Sequence, residues 1–472
     1  MSSQSQMPIK NKNIVIREEQ FGGVCYIRPK LGGGFIRNKF ILNHMAKDIL
    51  NLCDGTHDIK DIVEAIALKY NIKDKELLYQ DIETFLRELE SLSVISWKGT
   101  KLRDIQKKYT YLQPNMVIPL SSPFSIHWNI TNFCNLNCRH CYTIDRRTGK
   151  ELTTEKALKV VEEIIDANVL EVTFSGGEPL LRKDLFTLAK TLYDNGVSVF
   201  LTTNGTLIDK NVAEKLEECG ITYMQVSLDG AKPETHDKFR GVPGAFRRTM
   251  NGLKAIAEYT DILVNIATVP TKENFHEIPD ILNIAIELGF NYRILECKPL
   301  GRGKNIQEQL LGPKEYRELL EFILKKREEL KETKTKIFLS ECFAFLVDER
   351  FSKSPNKPLI DCPAARSLCA IDADGNVSPC SYFSFLGISV GNIRHQSLTE
   401  IWRSSWFFNE LRKIDFSNPM YSPQECSSCK YKNVCGRGCR ALAFYAYYNL
   451  LAPDPRCSVY KKYAKVVESE NL

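Results

Sequence analysis

Sixteen cysteines in 472 residues, and where they fall, constrain this chain more than any other feature. Ten stand in short, spaced groups: Cys134, Cys138 and Cys141 together, then Cys362, Cys380, Cys426, Cys429, Cys435, Cys439 and Cys457. Met1 to Gln20 are polar and charged, without the apolar core of a secretory signal. No run approaches the roughly 18 apolar residues that a membrane span needs. The chain is therefore expected in the cytoplasm, where thiols stay reduced. In that compartment grouped cysteines point to metal or redox chemistry, not to disulfide staples. From Cys342 to Cys457 few long apolar periodic segments occur, so bound metal is expected to stabilise that region.

Composition narrows the classes further. A hydrophobic content of 43% with 26% charged residues excludes wholesale disorder. The net charge of +6 is spread along the chain and is too weak to suggest a nucleic-acid partner. No membrane partner is expected either.

Residues 20 to 97 read as a separate module. Phe21 to Ile27 and Gly34 to Ile36 look like short strands set off by glycines. Amphipathic helices follow at Asn43–Leu52, Ile59–Tyr70 and Tyr79–Leu92, and Val94–Trp97 closes a winged-helix-like α+β domain. Residues 98 to 123 are basic, irregular and proline-punctuated, and read as a linker.

From residue 124 to 335 apolar strands alternate with helices. The strands are Ile126–Ile130, Glu171–Phe174, Val197–Leu201, Tyr223–Ser227, Leu263–Val269 and Tyr292–Leu295. Helices such as Thr154–Ala167, Leu185–Asn195 and Asn211–Cys219 lie between them, and a charged helical stretch, Pro313–Thr333, follows. Such alternation implies parallel pairing, and six units fit an α/β, partial (β/α)6 barrel of the TIM type. Chemistry then belongs at the C-terminal strand ends. The notable residues do follow the strands.

Cys134-x3-Cys138-x2-Cys141 comes just past the first barrel strand. Three thiolates at this spacing can hold three irons of a [4Fe–4S] cube and leave the fourth without a protein ligand, whereas electron-transfer clusters take four cysteines. A zinc site completed by His140 or a distant residue is the plainer alternative. The second strand ends in Ser175-Gly176-Gly177-Glu178-Pro179. Its glycines let a ligand approach the backbone closely, and Glu178 can accept hydrogen bonds from an ammonium.

Together these motifs resemble the radical S-adenosylmethionine (radical SAM) enzymes. The resemblance implies that Cys134, Cys138 and Cys141 ligate the cluster whose free iron binds S-adenosylmethionine. Gly176, Gly177, Glu178 and Pro179 would bind the cofactor's amine. Asn204, Ser227 and Arg240, at or after later strand ends, would face the cofactor, with Arg240 a partner for its carboxylate. The plain reading of these last residues is a helix cap at Ser227 or Asp229 and a surface salt bridge at Arg240. His236 is read as structural.

The C-terminal cysteines resemble the SPASM extension over residues 336 to 465. By that resemblance Cys362, Cys380 and Cys439 serve one auxiliary [4Fe–4S] cluster, and Cys426, Cys429, Cys435 and Cys457 a second. Seven ligands leave one place open, for Cys342, Cys369 or a substrate thiolate. Cys25, Cys53, Cys219 and Cys297 read as ordinary buried thiols.

The N-terminal module resembles the PqqD-like domain that binds the leader of a ribosomally made precursor peptide, a task suited to β-augmentation. A generic winged helix that binds nothing is its rival. The whole resemblance implies an enzyme that generates a 5′-deoxyadenosyl radical to modify such a peptide, with thioether or carbon–carbon cross-links as products. An electron donor such as ferredoxin or flavodoxin is implied as a partner. The tail from Cys435 to Cys457 is also similar to haem-pathway enzymes of the same superfamily, which keeps a tetrapyrrole substrate as the alternative. A non-catalytic iron–sulfur carrier would not need the Gly176–Pro179 site.

Overall fold

The computed structural model describes residues 7–29, 39–100, 120–142, 151–340, 344, 362–414, 424–431, 435 and 438–457. The chain divides into two compact units, Met1–Met116 and Val117–Leu472. Among the described residues no helix is long and apolar enough to cross a membrane.

In the first unit strands β1 (Pro8–Lys10), β2 (Ile14–Glu19), β3 (Gly22–Ile27) and β4 (Lys39–Asn43) come first. Helices α1 (His44–Leu52), α2 (Ile59–Tyr70) and α3 (Lys75–Ser91) follow, and β5 (Ile95–Trp97) closes the unit. β2, β3 and β4 form an antiparallel sheet in that order, and β1 pairs with β5. Two strands thus precede the start at residue 20 read from the glycine-flanked strands. Ile14 and Ile16 of β2 pack on the core formed by residues such as Cys25, Leu50, Ile62 and Leu86. Helix α3 begins at Lys75, not Tyr79, because the Asp74 carboxylate accepts from Leu77 N and caps it; such a cap contributes about 1 kcal/mol. Asp58 and Asp61 form a reciprocal capping box at α2. The segment Gly34–Ile36 and most of the linker lie outside the described residues.

The second unit is built on one ten-stranded sheet. Its barrel strands are β6 (Ser125–Thr131), β7 (Glu171–Gly176), β8 (Ser198–Thr203), β9 (Ile221–Ser227), β10 (Leu263–Thr268) and β11 (Asn291–Leu295). Between them run α4 (Thr154–Asp166), α5 (Leu185–Asp194), α6 (Lys210–Glu218), α7 (Pro233–Arg240), α8 (Ala245–Tyr259) and α9 (Ile278–Glu287). All six strands pair in parallel, in chain order. Helices cover one face and side chains fill the other, so the strands are nearly continuous apolar runs. Trp128 and Phe174, both fully buried, pack with ring centroids 5.6 Å apart.

The sheet does not stop at six. Helix α10 (Pro313–Glu329) leads to β12 (Ile337–Ser340), parallel to β11. At the other edge β13 (Leu368–Ile371) runs parallel to β6, and the antiparallel strands β14 (Asn376–Ser378) and β15 (Gly391–Asn392) extend it. The cysteine-rich region is therefore continuous with the barrel sheet. Short helices finish it: α11 (Ser381–Phe385), α12 (Leu398–Ser404), α13 (Trp406–Lys413), α14 (Gln424–Ser427) and α15 (Arg440–Tyr447).

Candidate active site

Parallel strands put their C-terminal ends on one rim, and the candidate residues collect there. The loop after β6 carries Cys134, Cys138 and Cys141, close enough that Cys134 feels the charge of the other two and Cys138 that of Cys141. Burial pushes the Cys134 thiol up to about 11, opposed by the Leu136 N–H 3.4 Å from its sulfur. Cys138 is also raised by burial, and Arg240 pulls it back. Ligation must therefore displace thiol protons.

The Gly-Gly step closes against this loop. Gly177 N donates to Thr131 O and Glu178 N to Phe133 O, both at 2.8 Å. A Cβ on Gly176 would lie well under 3.0 Å from the Thr131 carbonyl oxygen, and one on Gly177 equally close to that of Phe133. Gly176 also holds φ +126°, which side chains rarely adopt. Only glycines allow the second strand end to lie against the base of the cysteine loop. Glu178 is fully buried, and Pro179 begins a short 3-10 turn. The Glu178 carboxylate accepts from Thr203 Oγ1 at 2.7 Å, Asn204 N at 2.8 Å and Leu180 N at 3.1 Å. It thus ties the end of β7 to the end of β8.

Asn204 extends that tie. Its Nδ2 donates to Asn135 Oδ1 at 2.9 Å, inside the cysteine loop, and Asn135 Nδ2 donates to Thr206 Oγ1 at 2.8 Å. Ser227, half-buried, ends β9. Arg240 is not at the surface: it is 7% exposed, paired with the fully buried Asp229 and 3.6 Å from Cys138 Sγ. Asp229 caps no helix; its Oδ1 accepts from Val269 N at 2.8 Å. Arg240 Nε is buried without a partner among the described residues. His236 is buried, its Nδ1 accepting from Asp229 N at 3.1 Å.

A second trio forms beyond β13. Cys380, at the start of α11, feels the charge of Cys439 and Cys362. Its thiol is raised by burial, against the N–H groups of Phe383 and Tyr382. Burial lifts Cys439 to about 11, against the field of Lys298. Two tyrosines stand between the trios: Tyr142, next to Cys141, packs against Tyr382 with centroids 5.4 Å apart. Cys369 is elsewhere, fully buried on β13, with Arg412 as its charged neighbour. Cys342 lies outside the described residues. Cys426, Cys429, Cys435 and Cys457 sit half-buried on short segments, Cys429 N donating to Cys426 O at 3.2 Å.

Sequence reasoning missed Asp229 as the buried partner of Arg240, and Thr203, Asn135 and Glu151. The Glu151 carboxylate accepts from Asn132 N at 2.6 Å at the base of the cysteine loop. Polar residues beside a strand end were the available signal.

These residues fit an iron–sulfur cluster with an amino-acid cofactor. The donor set is thiolate, the glycine cradle has no room for side chains, and a buried guanidinium donor is unspent. Comparison with known proteins bears on the same point. Residues 128–285 match the radical SAM superfamily, 362–430 an iron–sulfur cluster-binding domain (SPASM) and 36–95 coenzyme PQQ synthesis protein D. An AdoMet-dependent heme synthase of Methanosarcina barkeri is 34% identical over 355 residues, 72% of this chain and 98% of that protein. The chain belongs to the radical SAM superfamily. The mycofactocin maturase MftC of Mycolicibacterium smegmatis is 30% identical over 343 residues, 72% of this chain and 83% of the relative. In structure the radical SAM chain resembles Streptococcus suis SuiB, solved with S-adenosylmethionine and with the precursor peptide SuiA. The TM-scores are 0.68 with 18% and 17% identity, and each match covers 96% of this chain and 99% of SuiB. As a radical SAM enzyme with a SPASM domain it uses [4Fe–4S] clusters and S-adenosylmethionine.

Proposed function

We propose that this radical SAM enzyme modifies a ribosomally made precursor peptide in the cytoplasm, forming a thioether or carbon–carbon cross-link. One observation carries the reading: a separate N-terminal unit, matched by the PqqD family, accompanies the catalytic unit. Among the described residues β2 and β4 are the outer strands of its sheet, which suits pairing with an extended leader.

In this reading Cys134, Cys138 and Cys141 hold the cluster that binds S-adenosylmethionine. When bound, cluster and cofactor supply a 5′-deoxyadenosyl radical for hydrogen abstraction, given an electron from a donor such as ferredoxin or flavodoxin. The protein's part is alignment and exclusion of water. The Gly176–Pro179 turn seats the cofactor's amine, while Glu178 stiffens that turn from below. In this reading Arg240 pairs with the cofactor's carboxylate, and Asn204 and Ser227 line the same rim. Cys362, Cys380 and Cys439 hold one auxiliary cluster, and Cys426, Cys429, Cys435 and Cys457 the other.

A second reading, modification of a tetrapyrrole, draws support from the relatives named heme synthases. Incubation of the reduced holoenzyme with a peptide encoded beside its gene, and separately with an iron porphyrin precursor, tests the choice by mass spectrometry. A changed peptide and an unchanged porphyrin are expected. The reverse pattern would transfer the assignment to the tetrapyrrole.

A further inference from the structure

Arg240 is fixed to the cysteine loop through backbone and side chain alike. Asn137 N donates to Arg240 O and Arg139 N to Phe239 O, both at 3.0 Å, so the residues flanking Cys138 are bound to the end of α7. Gly241, at φ +71°, turns the chain there, and a Cβ on it would strike the Asn137 carbonyl oxygen. The guanidinium reaches Cys138 Sγ through Nη1, 3.6 Å away, and Asp229 through Nη2. Asp229 is itself held by Val269 N on Oδ1 and, at its carbonyl oxygen, by Asn274 Nδ2 at 2.9 Å. Every contact is buried, so the guanidinium has one position.

We infer that Arg240, oriented by Asp229, is a positioning residue that hydrogen-bonds the Cys138 sulfur and raises the reduction potential of the cluster held there. The inference rests on the assignment of Cys134, Cys138 and Cys141 as that cluster's ligands. Hydrogen bonds to ligand sulfurs and local charge are established levers on such potentials. Adding one electron makes the cluster more negative, and a buried cation beside a ligand sulfur stabilises that form. Asp229 opposes the effect, but it is Arg240, 3.6 Å from the sulfur, that touches Cys138. The pair thus holds a cation in place without leaving it uncompensated. The same guanidinium keeps Nε for the cofactor's carboxylate, so one side chain serves both cluster and cofactor.

The test uses full-length protein with reconstituted clusters, labelled with [15N]arginine and reduced without S-adenosylmethionine. Electron–nuclear double resonance is expected to detect an arginine nitrogen coupled to the cluster signal that a Cys134/Cys138/Cys141→Ala variant lacks. Absence of that coupling overturns the proposal and needs no variant of Arg240 to fold. In redox titrations Arg240→Gln is expected to lower the reduced-to-oxidised ratio at fixed potential at least tenfold, ~59 mV for a one-electron couple. Arg240→Lys, which keeps the charge, is expected to recover part of the shift. A potential unchanged in Arg240→Gln, or lowered equally in both variants, contradicts the proposal. A cluster signal identical in the triple cysteine variant would overturn the ligand assignment instead.

Discussion

Gly177→Ala tests whether the glycine pair is there to let the second strand end close on the cysteine loop. The added methyl would sit well under 3.0 Å from the Phe133 carbonyl oxygen, whereas ordinary contact begins at 3.4 Å. The obstacle is backbone, which cannot swing aside as a side chain can. One of the two segments must yield by about 1 Å, a misplacement that costs on the order of a hundredfold in rate when it reaches reacting groups. The segment that yields is bound to Cys134 through the chain and to Glu178 through Phe133 O. Overpacking of this kind also costs about 1–3 kcal/mol of stability. Gly289→Ala is the control: Gly289 has φ +70° and nothing within 4 Å, so the change strains the backbone without displacing a neighbour. The assay is 5′-deoxyadenosine formation by reconstituted enzyme with excess dithionite, alongside thermal unfolding. Cleavage is expected to fall about a hundredfold in Gly177→Ala and to hold in Gly289→Ala. Cleavage by Gly177→Ala within threefold of wild type would refute the packing argument.

Three further outcomes follow from the geometry. Cys380→Ala is expected to lower iron content by about four atoms per chain, and Cys369→Ala, whose thiol lies on β13 apart from the trio, to leave it unchanged; iron analysis after reconstitution decides. Burial depresses the His236 pKa to about 3, so between pH 6 and 5 the unfolded chain binds the extra proton and stability falls with pH by up to ~1.4 kcal/mol per unit; His236→Asn should flatten that slope in thermal unfolding of the holoenzyme. Removal of residues 1–116 should leave cofactor cleavage intact, because Val117–Leu472 has its own core. It should still cut peptide modification steeply, since a micromolar leader site is worth about 8 kcal/mol.

The fold was legible where periodicity and burial agree. The six barrel strands are buried on both faces, so their apolar runs stand out, and each lies within two residues of its expected start. β12, β13 and β14 escaped notice because each is four residues or fewer, shorter than any reliable alternation. β2 was missed for another reason: Arg17 and Glu19 are buried as an ion pair, and a charged pair in a strand reads as loop. At the site, spacing could single out Cys134, Cys138 and Cys141 as candidates because one short loop carries all three. Arg240 and Asp229 lie eleven positions apart, and no local pattern announces that one neutralises the other beside Cys138. Nor could sequence decide whether Cys369 joins Cys362, Cys380 and Cys439, since only the sheet register puts Cys369 opposite Ile126.

The most direct test of the central claim follows a hydrogen atom. A precursor peptide carrying deuterium on the side chains and α-carbons of its core residues is given to the reduced holoenzyme with S-adenosylmethionine, and both products are analysed by mass spectrometry. Deuterium is expected in 5′-deoxyadenosine in proportion to the peptide modified. Undeuterated 5′-deoxyadenosine beside an unchanged peptide would contradict the claim.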